Sequence, residues 1–305
     1  MNILTVAFRG DLANLLYQAH GFKKNWLGEK KWYIVIEDYN NDPYGTVTEQ
    51  WCYEYIKPIL PDWDITIIKG PEIVCQRGWE RQQIYKLWAA AELVSSEYTL
   101  VMDGKNFIVR PIDQSYFFTD QQELKVLVHN VPVGTSSQLP PAANPIGDEE
   151  WLKCCSFFGE SNLTKVRPQN ITPWVWRKDL AQHTIKTFQN YGCDIYTTAS
   201  LPVHEFESYW LLNQDKIKWV SGDLIDGVMC SGIVDMDSGK ERLNMHIEFK
   251  KPFWVFHRHA YQFDKMKNVN FSNDYLKELG VIDDGLIQKW IETMDYIIKT
   301  WPNVV

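Results

Sequence analysis

What this sequence lacks bounds its function before any motif is weighed. Basic residues are too few to dominate: 31 Lys and Arg face 39 Asp and Glu, for a formal net charge of -8 and a pI near 5.4. No broad positive field therefore marks the nucleic-acid backbone as the main partner. The six cysteines, at 52, 75, 154, 155, 193 and 230, contain no Cys-x-x-Cys pair. That argues against a zinc ribbon, a redox pair and a secreted disulfide scaffold, and leaves reduced, structural thiols. Met1 leads into an apolar run of only about seven residues before a charge, too short for a signal peptide or a membrane span. A soluble cytoplasmic chain is the expectation. Gly-x-Gly-x-x-G, P-loop and His-Glu-x-x-His patterns are missing as well. Without a secretion signal, the sequons at Asn162, Asn170 and Asn270 read as chance matches.

Large aromatics, by contrast, are plentiful, with 14 Trp, 15 Tyr and 14 Phe in 305 residues. Together with 45% hydrophobic content they suffice for a full core. Such rings also line carbohydrate and nucleotide sites.

The chain is organised around Tyr98 to Pro111. An apolar run, Thr99-Leu100-Val101-Met102, leads into Asp103, Gly104, Lys105 and Asn106, and a second apolar run ends at Arg110-Pro111. This is either a surface turn made of good turn formers or a strand delivering charge to a sheet edge where ligands bind. Upstream, Ile3 to Phe8 reads as a strand, and Arg9-Gly10-Asp11 turns into a helix carrying Leu12, Leu15, Leu16 and Ala19, with Asp11 as N-cap. A second strand, Trp32 to Ile36, ends in Glu37-Asp38. A helical stretch near Thr46 to Ile56 and a third strand at Ile65 to Ile68 follow. Strand alternating with helix predicts an α/β fold: a mixed, mainly parallel central sheet flanked by helices.

Between Glu80 and Ser95 a helix places Ile84, Leu87, Trp88 and Ala91 on an apolar stripe, with Gln82, Gln83 and Lys86 on the adjoining face of its first half. A helix antiparallel to the strand it precedes brings that half to the strand's carboxyl edge, so these three are expected near Asp103. A solvated face is the plainer reading of the same polar residues.

Later segments supply further candidates. Lys125 to Val128 reads as a strand, and Val131 to Gly147, rich in Pro, Ser and Ala, as a mobile loop beside an acceptor or a simple connection. Trp174 and Trp176, ahead of a helix from Lys178 to Asn190, are candidates for stacking on a sugar as well as for packing. Leu201 to Trp210 reads as a helix start with Pro202 near N1; Glu205, Ser208 and Tyr209 share a face. Glu205 is the first choice for a catalytic base and His204 the second, although an acid in a first helical turn needs no chemistry to be there. Met245 to Phe249 reads as a strand. Val255, His257 and His259 alternate onto one strand face. Ile287, Trp290, Ile291, Met294 and Ile298 form a helical stripe that docks on the core or on a second copy of the chain.

Gly78-Trp79-Glu80-Arg81-Gln82-Gln83-Ile84-Tyr85-Lys86-Leu87, then Val101 to Asn106, then Arg110-Pro111, resembles an uncharacterised domain-of-unknown-function family of bacterial and phage proteins related to type-A (GT-A-like) glycosyltransferases. Thr5 to Asp11, Ile171-Thr172-Pro173 and Glu205 to Tyr209 are similar to further landmarks of that family. The resemblance implies a nucleotide-diphospho-sugar transferase fold over residues 1–262, with 1–130 as the nucleotide-sugar half, 131–262 as the acceptor half and 263–305 as a helical extension. It implies transfer of a sugar; taken with the residue reading above, it makes Phe8, Arg9, Asp11, Asp38, Gln82, Gln83, Lys86, Lys105, Asn106 and His257 candidates at the donor, Asp103 and Glu205 candidates in catalysis, and Asp103 and His257 candidates to hold Mn²⁺ or Mg²⁺, with the choice between His257 and His259 left open. Lys105 stands where an Asp-x-Asp motif has its second acid, so either Asp103 holds a divalent ion or Lys105 replaces the ion against the diphosphate. A glycan, a lipid carrier, a protein or a modified nucleic-acid base would serve as acceptor. The alternatives are a sugar-binding module without turnover and, further off, a nucleotidyltransferase.

Overall fold

A computed structural model describes residues 1–7, 12–36, 49–50, 52–75, 78–104, 106–108, 110–126, 128, 148–160, 166–168, 172–221 and 253–255. Phe8, Arg9, Asp11, Asp38, Lys105, His257 and His259 lie outside them, as do the segment 131–147, the strand expected at 245–249 and the tail from 263.

Five strands form the central sheet: β1 (Asn2–Ala7), β2 (Lys31–Ile36), β3 (Asp64–Lys69), β4 (Tyr98–Asp103) and β7 (Trp174–Arg177). Their order is β3-β2-β1-β4-β7. The sheet is mainly parallel and flanked by helices; β2 and β3 run parallel from Lys31 opposite Asp64, and β7 closes one edge antiparallel to β4, with Tyr98 opposite Arg177. Two small pairs stand apart, β5 (Asn106–Ile108) antiparallel to β9 (Phe253–Val255), and β6 (Leu124–Val126) parallel to β8 (Trp219–Ser221). Val, Ile, Leu and Trp fill β1, β2 and β4 because strands covered on both faces have no solvated side to alternate toward.

The chain forms two compact units: Met1–Leu4 with Gly70–Val101 and Ser115–Leu224, and Thr5–Lys69 with Met102–Gln114 and Ile225–Val305. In the second of these, helix α1 (Leu12–Asn25) buries Leu15, Leu16, Ala19 and Phe22. Phe22 meets Trp32 edge to face at 4.9 Å between ring centroids and stacks on Trp63 at 5.6 Å. Gly21 lets α1 approach β5 closely: a Cβ there would sit 2.8 Å from the Ile108 carbonyl oxygen. Of the helix expected near Thr46 to Ile56, the described residues are helical at 49–50 and form a π-helical turn, Cys52–Ile56.

The other unit holds α2 (Gly78–Trp88), α3 (Asp148–Phe157), α4 (Lys178–Asn190) and α5 (Glu205–Asn213). Helix α2 gives way to a π-helical turn, Ala89–Leu93, closed by the Val94 N–H donating to the Ala89 carbonyl at 2.9 Å. Helix α5 begins at Glu205, with His204 in an extended cap, so Pro202 lies ahead of the helix and not at its first position. Apolar side chains on every side of α5 bury it almost completely, Glu205 and Glu207 included. Trp174 and Trp176 face it from β7; Trp174 stacks on Phe206 at 5.6 Å and Trp176 on Tyr209 at 5.0 Å. Both indoles are buried packing, which corrects the reading of either as a sugar platform: they are two apart on one strand and share the face that α5 covers.

Candidate functional site at the end of the central strand

After β3 the chain returns to add β4 on the far side of β1, so the strand order reverses between β1 and β4. In open, mainly parallel sheets ligands bind outside the carboxyl ends of the strands at such a reversal. Asp103 is the last residue of β4 and is half-buried. The ends of β1, from Thr5, and of β4, from Met102, belong to the same unit.

The turn after Asp103 is tied down by neutral groups. The Asp103 N–H donates to Asn106 Oδ1 at 2.7 Å. Gln18, on α1 and fully buried, donates from Nε2 to both the Asp103 carbonyl, at 3.0 Å, and the Asn106 carbonyl, at 2.8 Å. Thr5 on β1 donates its hydroxyl to Gln18 Oε1 at 2.8 Å, and Trp32 on β2 donates its indole N–H to Thr5 Oγ1 at 3.0 Å. Outside that turn, one α1 turn beyond Gly21, Asn25 Nδ2 donates to the Ile108 carbonyl of β5 at 2.9 Å. Asn106, a candidate donor-site residue, is fully buried and spends its side-chain oxygen on the turn itself.

The helical candidates gather within the other unit. Lys86 Nζ lies 3.2 Å from Glu205 Oε1, with the two side chains 7% and 1% exposed, and 4.9 Å above the Phe206 ring. His204 Nδ1 is 2.9 Å from Glu205 Oε2, close enough to pair charges although the angle is poor for a hydrogen bond. Gln83 Oε1 accepts the Glu205 backbone N–H at 3.3 Å. Gln82 is half-buried on the same helix. Beside them Arg167 Nε stands 3.8 Å from Glu207 Oε1, and Cys154 Sγ 3.8 Å from Ser208 Oγ.

Electrostatics in this cluster follow from burial and pairing. Burial would raise the Glu205 pKa, but the charges of His204 and Lys86 outweigh it and hold the carboxyl below its ordinary value. Burial likewise works against a charged His204, and the neighbouring Glu205 and Glu207 overcome it, raising the imidazole above 6.5. The Cys154 thiol is pushed well up, first by burial and then by Glu207, so it is a poor nucleophile. Among the described residues no three His, Cys, Asp or Glu side chains are grouped as metal ligands. None of the described helices is long and apolar enough to cross a membrane.

No protein-family model matches the chain, and no curated protein does. Similar solved structures include two crystal structures from Streptococcus pneumoniae TIGR4. The apo-form glycosyltransferase GlyE matches at 10% identity and a TM-score of 0.45, over 98% of this chain and 63% of that one. A second structure of the glycosyltransferase GlyE matches at 12% identity and a TM-score of 0.41, over the same shares. The chain thus spans 63% of the length of each.

Two groups of candidates are therefore assembled: Asp103 with Asn106 at the strand end, and Gln83 and Lys86 with His204 and Glu205. Reading the sequence missed Gln18, and reached Thr5 only as the first residue of a family landmark with no role of its own. A signal was present, since Gln18, Gly21 and Asn25 fall at i, i+3 and i+7 and share one face of α1 beside its apolar stripe.

Proposed function

We propose that the chain is a glycosyltransferase of type-A architecture that binds a nucleotide-diphospho-sugar at the carboxyl ends of β1 and β4 and passes the sugar to a hydroxyl. The observation that carries this reading is Asp103, half-buried at the end of β4 where the strand order reverses, on a turn whose backbone is held by Gln18 and Asn106. A carboxylate on a fixed turn can meet a ribose or sugar hydroxyl, or face the diphosphate through a cation.

The donor set suits a hard divalent ion that phosphate and water mostly coordinate, because Asp103 offers a carboxylate there while the oxygen of Asn106 is already used. Mn²⁺ or Mg²⁺ bound at Asp103 would offset the charge of the departing nucleotide. Lys105, where a second acid would be expected, is suited to the same duty. Glu205 does not suit the base: a buried carboxylate with a depressed pKa has little proton affinity to offer an acceptor hydroxyl. In this reading it holds Lys86 and His204 in place.

Thermal shift and turnover with UDP- and GDP-sugars, with and without Mn²⁺, test the proposal. The parent is expected to be stabilised and to release nucleoside diphosphate, and Asp103→Ala to lose both. Equal binding and turnover by Asp103→Ala would remove the site from the strand end. Because Lys105 breaks the Asp-x-Asp pattern, a sugar-binding module is the second reading, and binding without release at any Mn²⁺ concentration would select it.

A further inference from the structure

We propose that Gln18 is a positioning residue, which aims Asp103 by holding the backbone of the Asp103–Asn106 turn; its functional meaning rests on the ligand site proposed above. The inference comes from the direction of the hydrogen bonds. An indole N–H can only donate, so Thr5 Oγ1 must accept from Trp32 at 3.0 Å. The Thr5 hydrogen is then left for Gln18 Oε1 at 2.8 Å. That fixes the amide, and Nε2 must face the two carbonyls of Asp103 and Asn106. A flipped amide would set an oxygen against two carbonyl oxygens, with Gln18 and Asn106 both fully buried. Trp32, Thr5 and Gln18 thus form a one-way relay from β2 through β1 and α1 to the turn that carries Asp103.

Any buried amide contributes to stability, so Gln18 needs a matched control. Asn25 supplies one: it lies on the same helix, is buried, and donates to a β5 carbonyl, that of Ile108, at 2.9 Å. Both bonds tether α1 to the same short strand segment, and only that of Gln18 reaches Asp103. Loss of either should lower the melting temperature alike. Only loss of the first should disturb the site.

The test titrates UDP with Mn²⁺ into the full chain and follows amide hydrogen exchange across the turn. Gln18→Leu is expected to weaken UDP binding about tenfold or more, since a small misplacement of a binding group is costly. Asn25→Leu should bind within about twofold of the parent, as expected for a site without shared partners. Exchange at the Asp103 amide should quicken in the first variant and not in the second. Gln18→Glu, which must be protonated to donate even one bond, should regain affinity relative to the parent as the pH falls toward about 5. Thr5→Val keeps the shape, removes the hydroxyl that orients the amide, and should show the same signs more weakly if Gln18→Leu fails to fold. Equal losses in Gln18→Leu and Asn25→Leu, or an unchanged Asp103 amide, would overturn the assignment. A parent that binds no nucleoside diphosphate would overturn the ligand site and with it the use of the turn, while exchange would still decide whether Gln18 holds it.

Discussion

The two units solve the burial of polar side chains in opposite ways. In the relay from Trp32 through Thr5 to Gln18, and in the Asn106 oxygen that caps the turn, the bonding groups are neutral, and order comes from matching donors to acceptors. Around Lys86, His204, Glu205, Glu207 and Arg167 the groups are basic and acidic side chains set in opposing pairs, and order comes from that pairing. A neutral relay fixes direction and does not titrate near neutral pH. A charge cluster fixes the helices that carry it, yet depends on each partner and on pH.

Removing one charge should therefore give the largest effect. Glu205→Ala leaves Lys86 and His204 buried without the carboxylate that both face and is expected to cost about 3–5 kcal/mol in urea unfolding. Replacing the pair together, Glu205→Leu with Lys86→Met, should cost less than Glu205→Ala alone, because no buried ammonium is then left without its counter-ion. A cost of only about 1 kcal/mol for Glu205→Ala would mean that water reaches the cluster and the charges are not truly desolvated.

The neutral side breaks by steric means. Gly21→Ala would gain helix propensity, about 1 kcal/mol at an unhindered position. Here the added methyl would lie 2.8 Å from a backbone oxygen of β5, which cannot move as a flexible side chain does. The net result is expected to be a loss of about 1–3 kcal/mol by overpacking. Because Gln18 and Asn25 flank Gly21 on one face, quicker exchange of the Asp103 amide should accompany it. A stabilised Gly21→Ala variant would show that α1 can retreat from β5 without loss.

Much of this fold is legible in the sequence, and the reasons differ from element to element. The strands at residues 2–7, 31–36 and 98–103 are mostly apolar because both faces are covered, and the sequence marks them within a residue or so. Helix α5 was harder. Its apolar residues show no single face, so periodicity has little to report, and two buried glutamates read from sequence as ordinary first-turn acids. Strand and helix polarity lead one to expect Lys86 near Asp103; its pairing with Glu205, 119 residues away, is a contact that no local pattern announces. Gln18 was overlooked for a related reason, since a polar residue beside an apolar stripe normally meets water.

pH sharpens the contrast with a smaller and reversible change. The folded His204 pKa lies above its ordinary 6.5, so its contribution is complete below about 6.5 and is lost as the pH rises through the folded value. Glu205 behaves inversely: its contribution is present above about 4.5 and is lost as the pH falls through its lowered folded value. The two describe one ion pair and count once. Urea midpoints should decline on the alkaline side for the parent, and the decline should flatten in His204→Gln, where the imidazole is gone but Lys86 still faces Glu205. In Thr5→Val the alkaline slope should match the parent's, because nothing in the relay titrates there. An unaltered slope in His204→Gln would assign the decline to another group.

The smallest effect is expected where charges meet at the surface. Arg177 donates to Asp179 through Nε at 2.6 Å and through a terminal nitrogen at 2.8 Å, a forked contact with side chains 26% and 60% exposed. Its hydrogen bond to Arg177 lowers the Asp179 pKa, and Asp179 also sits in the first turn of α4, where the helix dipole favours an anion. Water and salt screen most of this, so Asp179→Asn should cost no more than about 1 kcal/mol, and less as salt is added. Glu205→Ala should keep most of its cost in the same salt series, because no counter-ion reaches a side chain that is 1% exposed. If the two variants responded to salt alike, burial would not be what separates them, and the buried cluster would have to be treated as another surface pair.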